Sequence, residues 1–553
     1  MLAITGLFLA AATCVRGFGM LRGIALFQVL AALPVAALGI MQHFRPELLP
    51  AANSYPGRAL GPFGQPNRLG GYVVATIPVA IALAFAAQDR ALRTGLLIAT
   101  FGLVFCLIVT YSRGAWLGLG GGLLVLTAAL VTWPELLPRP ALLAVTAAAL
   151  SVPVLLLLPS ILARVEARPS TAPAWNLPID PEREGSGAMR RAIWSGALDA
   201  ALRRPALGNG IGTFREAFDR AKSPVMKRLE AEGGRTADQA HNHYLGLLAE
   251  RGALGLAAFA VLTALMFGAA ATAMASGTPA MGRVLVAGLA GSVGALLVHG
   301  LVDDNLSLIP HGTLLFANLG LLAAAPAGRN EARRSRWTGR AMIFLALVAL
   351  GVSTASFAGS RAAEAASVDA RFGRVERAVA GYATASRVAP WRDDFAVAHA
   401  VEAEAWARQG ASPAAYREAE AAYRQAIAIN GSDPVTRQQL ARLYLSHPEL
   451  WGAEGVSRAR VELDRALAQN PYYAEIQNDL GVALLREGNR EGARQAFGRA
   501  AQGRREFVDP LLNLAALSME SGDSAEARSW LTRALERDPG SVRARALIAR
   551  LSP

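Results

Sequence analysis

Nine stretches of the chain contain no Asp, Glu, Lys or Arg: 23–44, 69–88, 94–112, 114–134, 140–163, 252–282, 284–302, 305–328 and 341–360. Each is about as long as a helix needs to be to cross a bilayer. One such run can be a buried core helix; nine together describe a polytopic membrane protein. Residues 1–15 form a tenth, shorter apolar stretch. No small-residue cleavage site leads from it into soluble sequence, so a first span is expected rather than a signal peptide. Hydrophobic residues make up 53% of the 553 residues and charged residues only 18%, which excludes a disordered chain. Cys14 and Cys106 both lie in apolar runs, where they read as packing residues, so neither a disulfide scaffold nor a cysteine-ligated metal is expected.

The net charge is +13, and nearly all the basic residues are arginine. Nucleic acid is one partner such a balance permits. Arginines at loops and at lipid or phosphate sites of a membrane protein are the better account, and no nucleic-acid partner is expected. The loop 329–340 carries five arginines against one glutamate and should be cytoplasmic. Arg16 and Arg22, and Arg90 and Arg93, mark two more cytoplasmic loops. Alternation then places outside the segment 45–68, the turn at Arg113, the long loop of about 164–245, the turn at Asp303–Asp304, and everything after 360.

From about 361 the apolar runs stop and a repeat begins. Alanine pairs seven apart recur: Ala378/Ala385, Ala419/Ala426, Ala459/Ala466, Ala493/Ala500 and Ala527/Ala534. The last three pairs are spaced by 34 residues. Leu480-Gly481 matches Leu514-Ala515, Gly488 matches Gly522, and Pro390, Pro471 and Pro539 each follow the second alanine by five. Earlier units are stretched by an insertion around 447–454. Over roughly 375–553 this resembles the tetratricopeptide repeat, which implies an α-solenoid with a concave binding surface. The expected fold is therefore all-α: a polytopic helical membrane domain of about ten spans (1–360) with a large periplasmic loop, then an α-solenoid of tetratricopeptide repeats (361–553), also periplasmic.

Three outward features can carry chemistry. In Thr110-Tyr-Ser-Arg-Gly-Ala-Trp116, Arg113 divides two apolar runs with almost no loop. It reads as a snorkelling anchor or as a residue of an outer cavity. In the long loop, a Pro-rich stretch (169–181) precedes a helix reading through Arg203, on which Arg190 and Trp194 share a face. The glycines of Pro205 to Phe214 can cradle a phosphate, but no strand precedes them, so a tight turn between helices is the stronger reading. In Ala240-His-Asn-His-Tyr-Leu245, His241 and His243 would point to nearly opposite sides of a helix, so no metal site is expected. A histidine at the mouth of a span suits a general base, because its pKa lies near neutral. Two arginines suit a pyrophosphate, since guanidinium offers paired planar donors and stays charged.

The set resembles the O-antigen ligase/polymerase superfamily over about 55–325. The carriers are Gly61-Pro-Phe-Gly-Gln-Pro-Asn67, Thr110-Tyr-Ser-Arg-Gly114, Arg190-x-x-x-Trp194, Pro205 to Phe214, His241-Asn-His-Tyr-Leu245 and Gly252-Ala-Leu-Gly-Leu256. The resemblance implies a bacterial inner-membrane enzyme. It would transfer a glycan from undecaprenyl pyrophosphate to an acceptor at the periplasmic face, inverting the anomeric carbon, with no metal or other cofactor. By the same resemblance Arg113 and Arg190 bind the pyrophosphate and stabilise its departure, and His241 activates the acceptor hydroxyl. Arg191, Asn242, Asn67 and Trp194 complete the substrate-binding set. The family usually has more spans than ten, so a late or misplaced start is expected.

Acceptors open to the family are lipid A core of lipopolysaccharide (ligase), a growing glycan (polymerase) or a protein Ser or Thr (oligosaccharyltransferase). Recruitment of protein partners by the repeats tilts toward exopolysaccharide polymerisation or protein glycosylation. The alternatives from other classes are a non-catalytic scaffold displaying the repeats and a transporter; charges confined to span boundaries weigh against the transporter.

Overall fold

The computed structural model describes residues 2–15, 17–45, 57–136, 181–233, 237–275, 279–325, 357–410, 412–503 and 507–551, with isolated positions between them. Among these the secondary structure is helical throughout, as expected. The chain divides into two compact units. The first gathers 1–178, 201–211 and 239–351; the second gathers 179–200, 212–238 and 352–553. Two pieces of the long loop thus belong to the same unit as the repeats.

The first unit contains α1 (Leu2–Cys14), α2 (Gly17–Phe44), α3 (Pro66–Ala86), α4 (Arg90–Val109), α5 (Arg113–Thr132), α9 (His243–Ala275), α10 (Ala280–His299) and α11 (Ile309–Ala324). Six of these, α2 to α5, α9 and α10, are long and apolar enough to cross a membrane; α11 is a shorter apolar helix. They coincide with the charge-free runs, with one shift. The run beginning at 252 is the continuation of a helix that already starts at His243, so the histidine motif forms its first turn. The expected spans at 140–163 and 341–360 fall mostly outside the described residues.

The centre of this unit is α3, α5 and α10. Nearly every residue of α3 from Leu69 to Ala84 is buried. Glycines let the three backbones approach. A Cβ on Gly122 would lie 2.7 Å from the Gly291 carbonyl oxygen, and one on Gly288 would lie 2.2 Å from the Ala82 Cβ. Lipid tails are as apolar as leucine, so helices in a bilayer associate through such close packing and through polar ties. Two ties are buried here: Ser292 Oγ donates to the Ala75 carbonyl, and Asn318 Nδ2 donates to Ser292 Oγ at 2.8 Å. Ile98, Leu117, Leu124, Val261 and Leu265 are exposed outward, as side chains facing lipid should be.

The second unit holds α6 (Pro181–Arg203, through Ala200), α7 (Phe214–Ala221), α8 (Pro224–Gly233) and helix pairs running from α12 (357–371) to α22 (Val542–Arg550). Between these ends lie α13 (Val375–Val388), α14 (Asp393–Gly410), α15 (Pro413–Ile429), α16 (Pro434–Ser446), α17 (Pro448–Gln469), α18 (Ala474–Arg486), α19 (Arg490–Ala500), α20 (Asp509–Glu520) and α21 (Ser524–Arg537). All ten alanines of the repeat are at most 1% exposed, which confirms them as the contact positions of the pairs. The Gly481 backbone abuts the Phe497 ring. Gly488 and Gly522 take φ of +83° and +79° at equivalent turns, a backbone that glycine adopts without steric cost. The insertion becomes an extra turn at the start of α17, kinked at Gly452 (φ +56°).

Candidate functional site

Asn67 sits in the first turn of α3, whose preceding residues Gly61–Phe63 form a short 3-10 turn. Its Oδ1 accepts from Ser112 Oγ at 2.9 Å, and its backbone oxygen accepts from Asn305 Nδ2 at 3.0 Å. Ser112 in turn caps α5, accepting from Ala115 N at 3.4 Å. The turn before it is strained: Tyr111 has φ of +50°, a conformation uncommon for residues other than glycine. Arg58 holds it open, donating from Nε to the Thr110 carbonyl at 2.8 Å and from Nη2 to the Tyr111 carbonyl at 3.3 Å.

This scaffold places Arg113 at the first position of α5, exposed. It makes no hydrogen bond or ion pair among the described residues. A cation at a helix N-terminus opposes the helix dipole and gains nothing locally. The location is favourable only when an anion arrives. The next residue, Gly114, lets Val302 and the His299 ring pack against the backbone, and Gly71 admits the other edge of that ring.

His299 ends α10, and the Asp303 amide donates back to its carbonyl at 3.1 Å. Asp303 then faces the imidazole of His241, with Oδ1 3.9 Å from Nδ1. That is longer than a hydrogen bond. Burial alone would raise the Asp303 pKa. Its interactions with His241 and His299, together with a hydrogen bond from the Asp304 amide, outweigh that and hold the carboxyl below its usual range. Asp303 therefore stays ionised. His241 has φ of +49° and a side chain 43% exposed.

The neighbouring residues are tied down. Asn242 caps α9, accepting from the Tyr244 and Leu245 amides at 3.0 Å, while its Nδ2 donates to the Leu301 carbonyl at 2.9 Å. His243 pairs through Nδ1 with Asp304 Oδ1 at 3.0 Å, and Ser307 Oγ donates to the same oxygen at 2.7 Å. The two histidines thus face separate carboxylates. Asn242 and His243 fasten the start of α9 to the 300–307 turn and leave His241 outward.

The glycine-rich segment 205–210 locks onto the kink of α9. Asn209 N and Gly210 N donate to the Ala249 and Glu250 carbonyls at 3.0 and 2.8 Å, and Ala253 N donates to the Pro205 carbonyl at 2.7 Å. Gly252 has φ of +64°, and a Cβ there would lie 2.3 Å from the Ala206 oxygen. Gly208 and Gly252, one from each motif, serve this close approach, in keeping with a tight turn between helices.

In the second unit, Arg190 and Trp194 are half-buried on α6, and Arg191 is exposed. Neither Arg190 nor the Trp194 indole nitrogen has a hydrogen-bond partner among the described residues. The adjoining residues Ala192, Ile193, Ala197 and Ala200 are buried, and Gly196 admits the Phe218 ring of α7.

Asn67, Arg113, His241 and Asn242 thus belong to one end of the first unit, and Arg190, Arg191 and Trp194 to the second. The residues that sequence reasoning missed are Asp303, Asp304, His299 and Asn305. The signal was present: Asp303 and Asp304 are the only charges between two apolar runs, but they served only to mark a turn.

Comparison with known proteins settles the architecture. Residues 98–260 match the O-antigen ligase family, and residues 484–551 match the tetratricopeptide repeat. The chain carries an O-antigen ligase segment followed by tetratricopeptide repeats. The ligase match supports a ligase-like glycan-transfer function for a multi-pass membrane protein. It spans α5, the loop and the start of α9, and so takes in Arg113, Arg190 and His241. A curated relative, TPR repeat-containing protein PA4299 of Pseudomonas aeruginosa, is 37% identical over 94 residues, 17% of this chain. The match spans 38% of that protein's length. Among solved structures, Pseudomonas aeruginosa PilF gives a TM-score of 0.30 at 17% identity, covering 36% of this chain and 85% of that one. A thermophilic tetratricopeptide-repeat protein of Thermus thermophilus, TTC0263, gives 0.29 at 18% identity, covering 35% and 98%.

Proposed function

We propose that the ligase segment is a metal-independent, inverting glycosyltransferase that moves a glycan from undecaprenyl pyrophosphate to an acceptor hydroxyl at the periplasmic face of the inner membrane. The observation that carries this reading is the His241–Asp303 pair. With Nδ1 toward an ionised carboxylate, Nε2 is left to take the acceptor proton, and Asp303 stabilises the imidazolium that forms. The acceptor oxygen attacks the anomeric carbon as the glycan–pyrophosphate bond breaks, and the pyrophosphate leaves as an anion. Arg113 receives that charge with paired donors. Arg190 is the second pyrophosphate ligand, with Arg191 and Trp194 beside it in sequence. Asn67 and Asn242 are positioning residues, through Ser112 and the start of α9 respectively.

The sidedness has its own support. Parts of the long loop and the repeats form one compact unit, which supports placing them on the same side of the membrane. The acceptor class (lipid A core, growing glycan or protein) follows from partners of the repeats. A transfer assay on purified protein with a lipid-linked glycan tests the chemistry. Arg113→Lys and Arg190→Lys should each lose most activity, since lysine keeps the charge but not the fork. Chelators should leave the rate unchanged. Full activity in both variants, or inhibition reversed by a divalent ion, would remove the proposal.

A further inference from the structure

Arginines along the repeats are matched by acids. Arg442 pairs with Asp479 at 2.6 Å, Arg458 with Glu454 at 2.6 Å, Arg460 with Glu487 at 3.0 Å and Arg494 with Glu526 at 2.9 Å. Others are not: Arg486 and Arg528 donate to backbone carbonyls, and two more, Arg228 and Arg499, meet at one cavity. Arg228 on α8 and Arg499 on α19 line a space of about 390 Å³ together with Tyr472, Gln477, Gln502 and Gly503. No acidic side chain is among its described lining residues. The Arg228 guanidinium lies 5.2 Å over the Tyr472 ring, and Arg499 Nε donates to Gln477 Oε1 at 3.1 Å. Both guanidiniums therefore rest on neutral partners among the described residues.

The cavity is a built feature of the second unit. One wall is α8, which the repeat turns hold in place. Asn470, fully buried, donates to the Lys227 carbonyl at 2.9 Å. Lys222 is buried between Asp219 (3.0 Å) and Glu230. The volume is in the range of small-molecule sites and is several times that of one inorganic anion. Two guanidiniums match one carboxylate through paired donors. Gln477 already accepts from Arg499 through Oε1 and donates to the Pro471 carbonyl at 3.4 Å through Nε2; its second lone pair and second N–H, with the carboxamide of Gln502, suit the hydroxyls of a sugar ring.

We propose that this cavity binds an acidic sugar unit of a glycan, a uronate whose carboxylate is held between Arg228 and Arg499 and whose hydroxyls meet Gln477 and Gln502. The choice of a sugar rests on the glycan-transfer reading above; the site itself lies outside the reacting groups. It would hold a charged segment of donor or acceptor glycan on the repeat unit during transfer.

The test is binding to the full-length protein in lipid nanodiscs, measured by calorimetry. The probes are digalacturonate, its methyl ester, a neutral galactose disaccharide, inorganic phosphate and a short peptide ending in aspartate. Digalacturonate should bind, and the ester and neutral sugar should bind at least about 10-fold more weakly. Arg228→Gln and Arg499→Gln should each weaken digalacturonate by about 10-fold or more, and Arg499→Lys should not restore it. Unchanged thermal unfolding of these exposed-residue variants shows that the fold is intact. His241→Ala should bind digalacturonate as the parent does. Equal binding of ester and acid, tighter binding of phosphate or peptide than of digalacturonate, no effect of either glutamine variant, or no binding at all would each overturn the proposal. Loss of transfer in His241→Ala without any uronate binding would leave the glycosyltransferase reading standing and this site refuted. Uronate binding with normal transfer in His241→Ala would do the reverse.

Discussion

Both compact units are built around small residues, but the membrane unit uses glycine where the repeat unit uses alanine. In α5 and α10, Gly118, Gly122 and Gly291 bring backbone against backbone. In the repeats, alanine pairs meet over fully buried leucines and tyrosines such as Leu463, Tyr423 and Tyr444. The solvent explains the difference. In water, burying a methyl group is itself favourable, so alanine can separate two helices and still gain. In lipid that gain is absent, and only closer contact and polar ties hold helices together. The charges divide in the same way. Ion pairs are strung along the repeats, whereas in the membrane unit they gather at the ends of spans, as with Arg283 and Glu135 at 2.8 Å.

The sharpest way to break this comparison is to add bulk at a glycine contact. Gly122→Val should abolish folding or cost several kcal/mol, because the Gly291 carbonyl cannot retreat. Gly95→Ala, which meets nothing within 4 Å, should be silent. Detergent-resistant monodispersity reports both. Lys222→Ala comes next: it leaves two buried carboxylates without their cation, a loss of about 3–5 kcal/mol, read by protease release of 212–238. Burial already pushes Asp219 and Glu230 up against the pull of Lys222, so lowering the pH from 7 should partly rescue that variant. In the repeats, Ala459→Leu should cost about 1–3 kcal/mol by overpacking, visible as a lower unfolding temperature.

The smallest effect concerns Asp303. Its folded pKa lies below the ordinary carboxylate value, so its ionisation contributes stability above about pH 3.9 that is lost as pH falls through the folded value. Asp303→Asn should therefore narrow the stability difference between pH 6 and pH 3. Thermal unfolding at the two pH values measures it.

Much of this was legible beforehand because its physics is local. Nine charge-free runs together point to membrane spans, and a 34-residue alanine period points to stacked helix pairs. Arg113 and His241 were readable as an arginine with no loop and a histidine at a helix start. The partner carboxylate was not, because Asp303 lies 62 residues from His241 and nothing in the local pattern links them. Nor was the role of the loop visible. Its charged stretch 212–238 looks like solvated sequence, yet Lys222, Asp219 and Glu230 are buried in the repeat unit. The resemblance implied substrate binding for Asn242; in the fold its oxygen caps α9 and its amide donates to the Leu301 carbonyl.

The central claim is that His241, faced by Asp303, removes the proton from the acceptor hydroxyl. The most direct measurement is a profile of lipid-linked glycans from cells carrying the parent protein or His241→Ala at equal membrane abundance. The account predicts that the variant accumulates glycan on the lipid carrier. Single units accumulate if the acceptor is a growing chain; finished chains accumulate if it is lipid A core or protein. An unchanged profile would contradict it and leave the chain as a scaffold that displays its repeats.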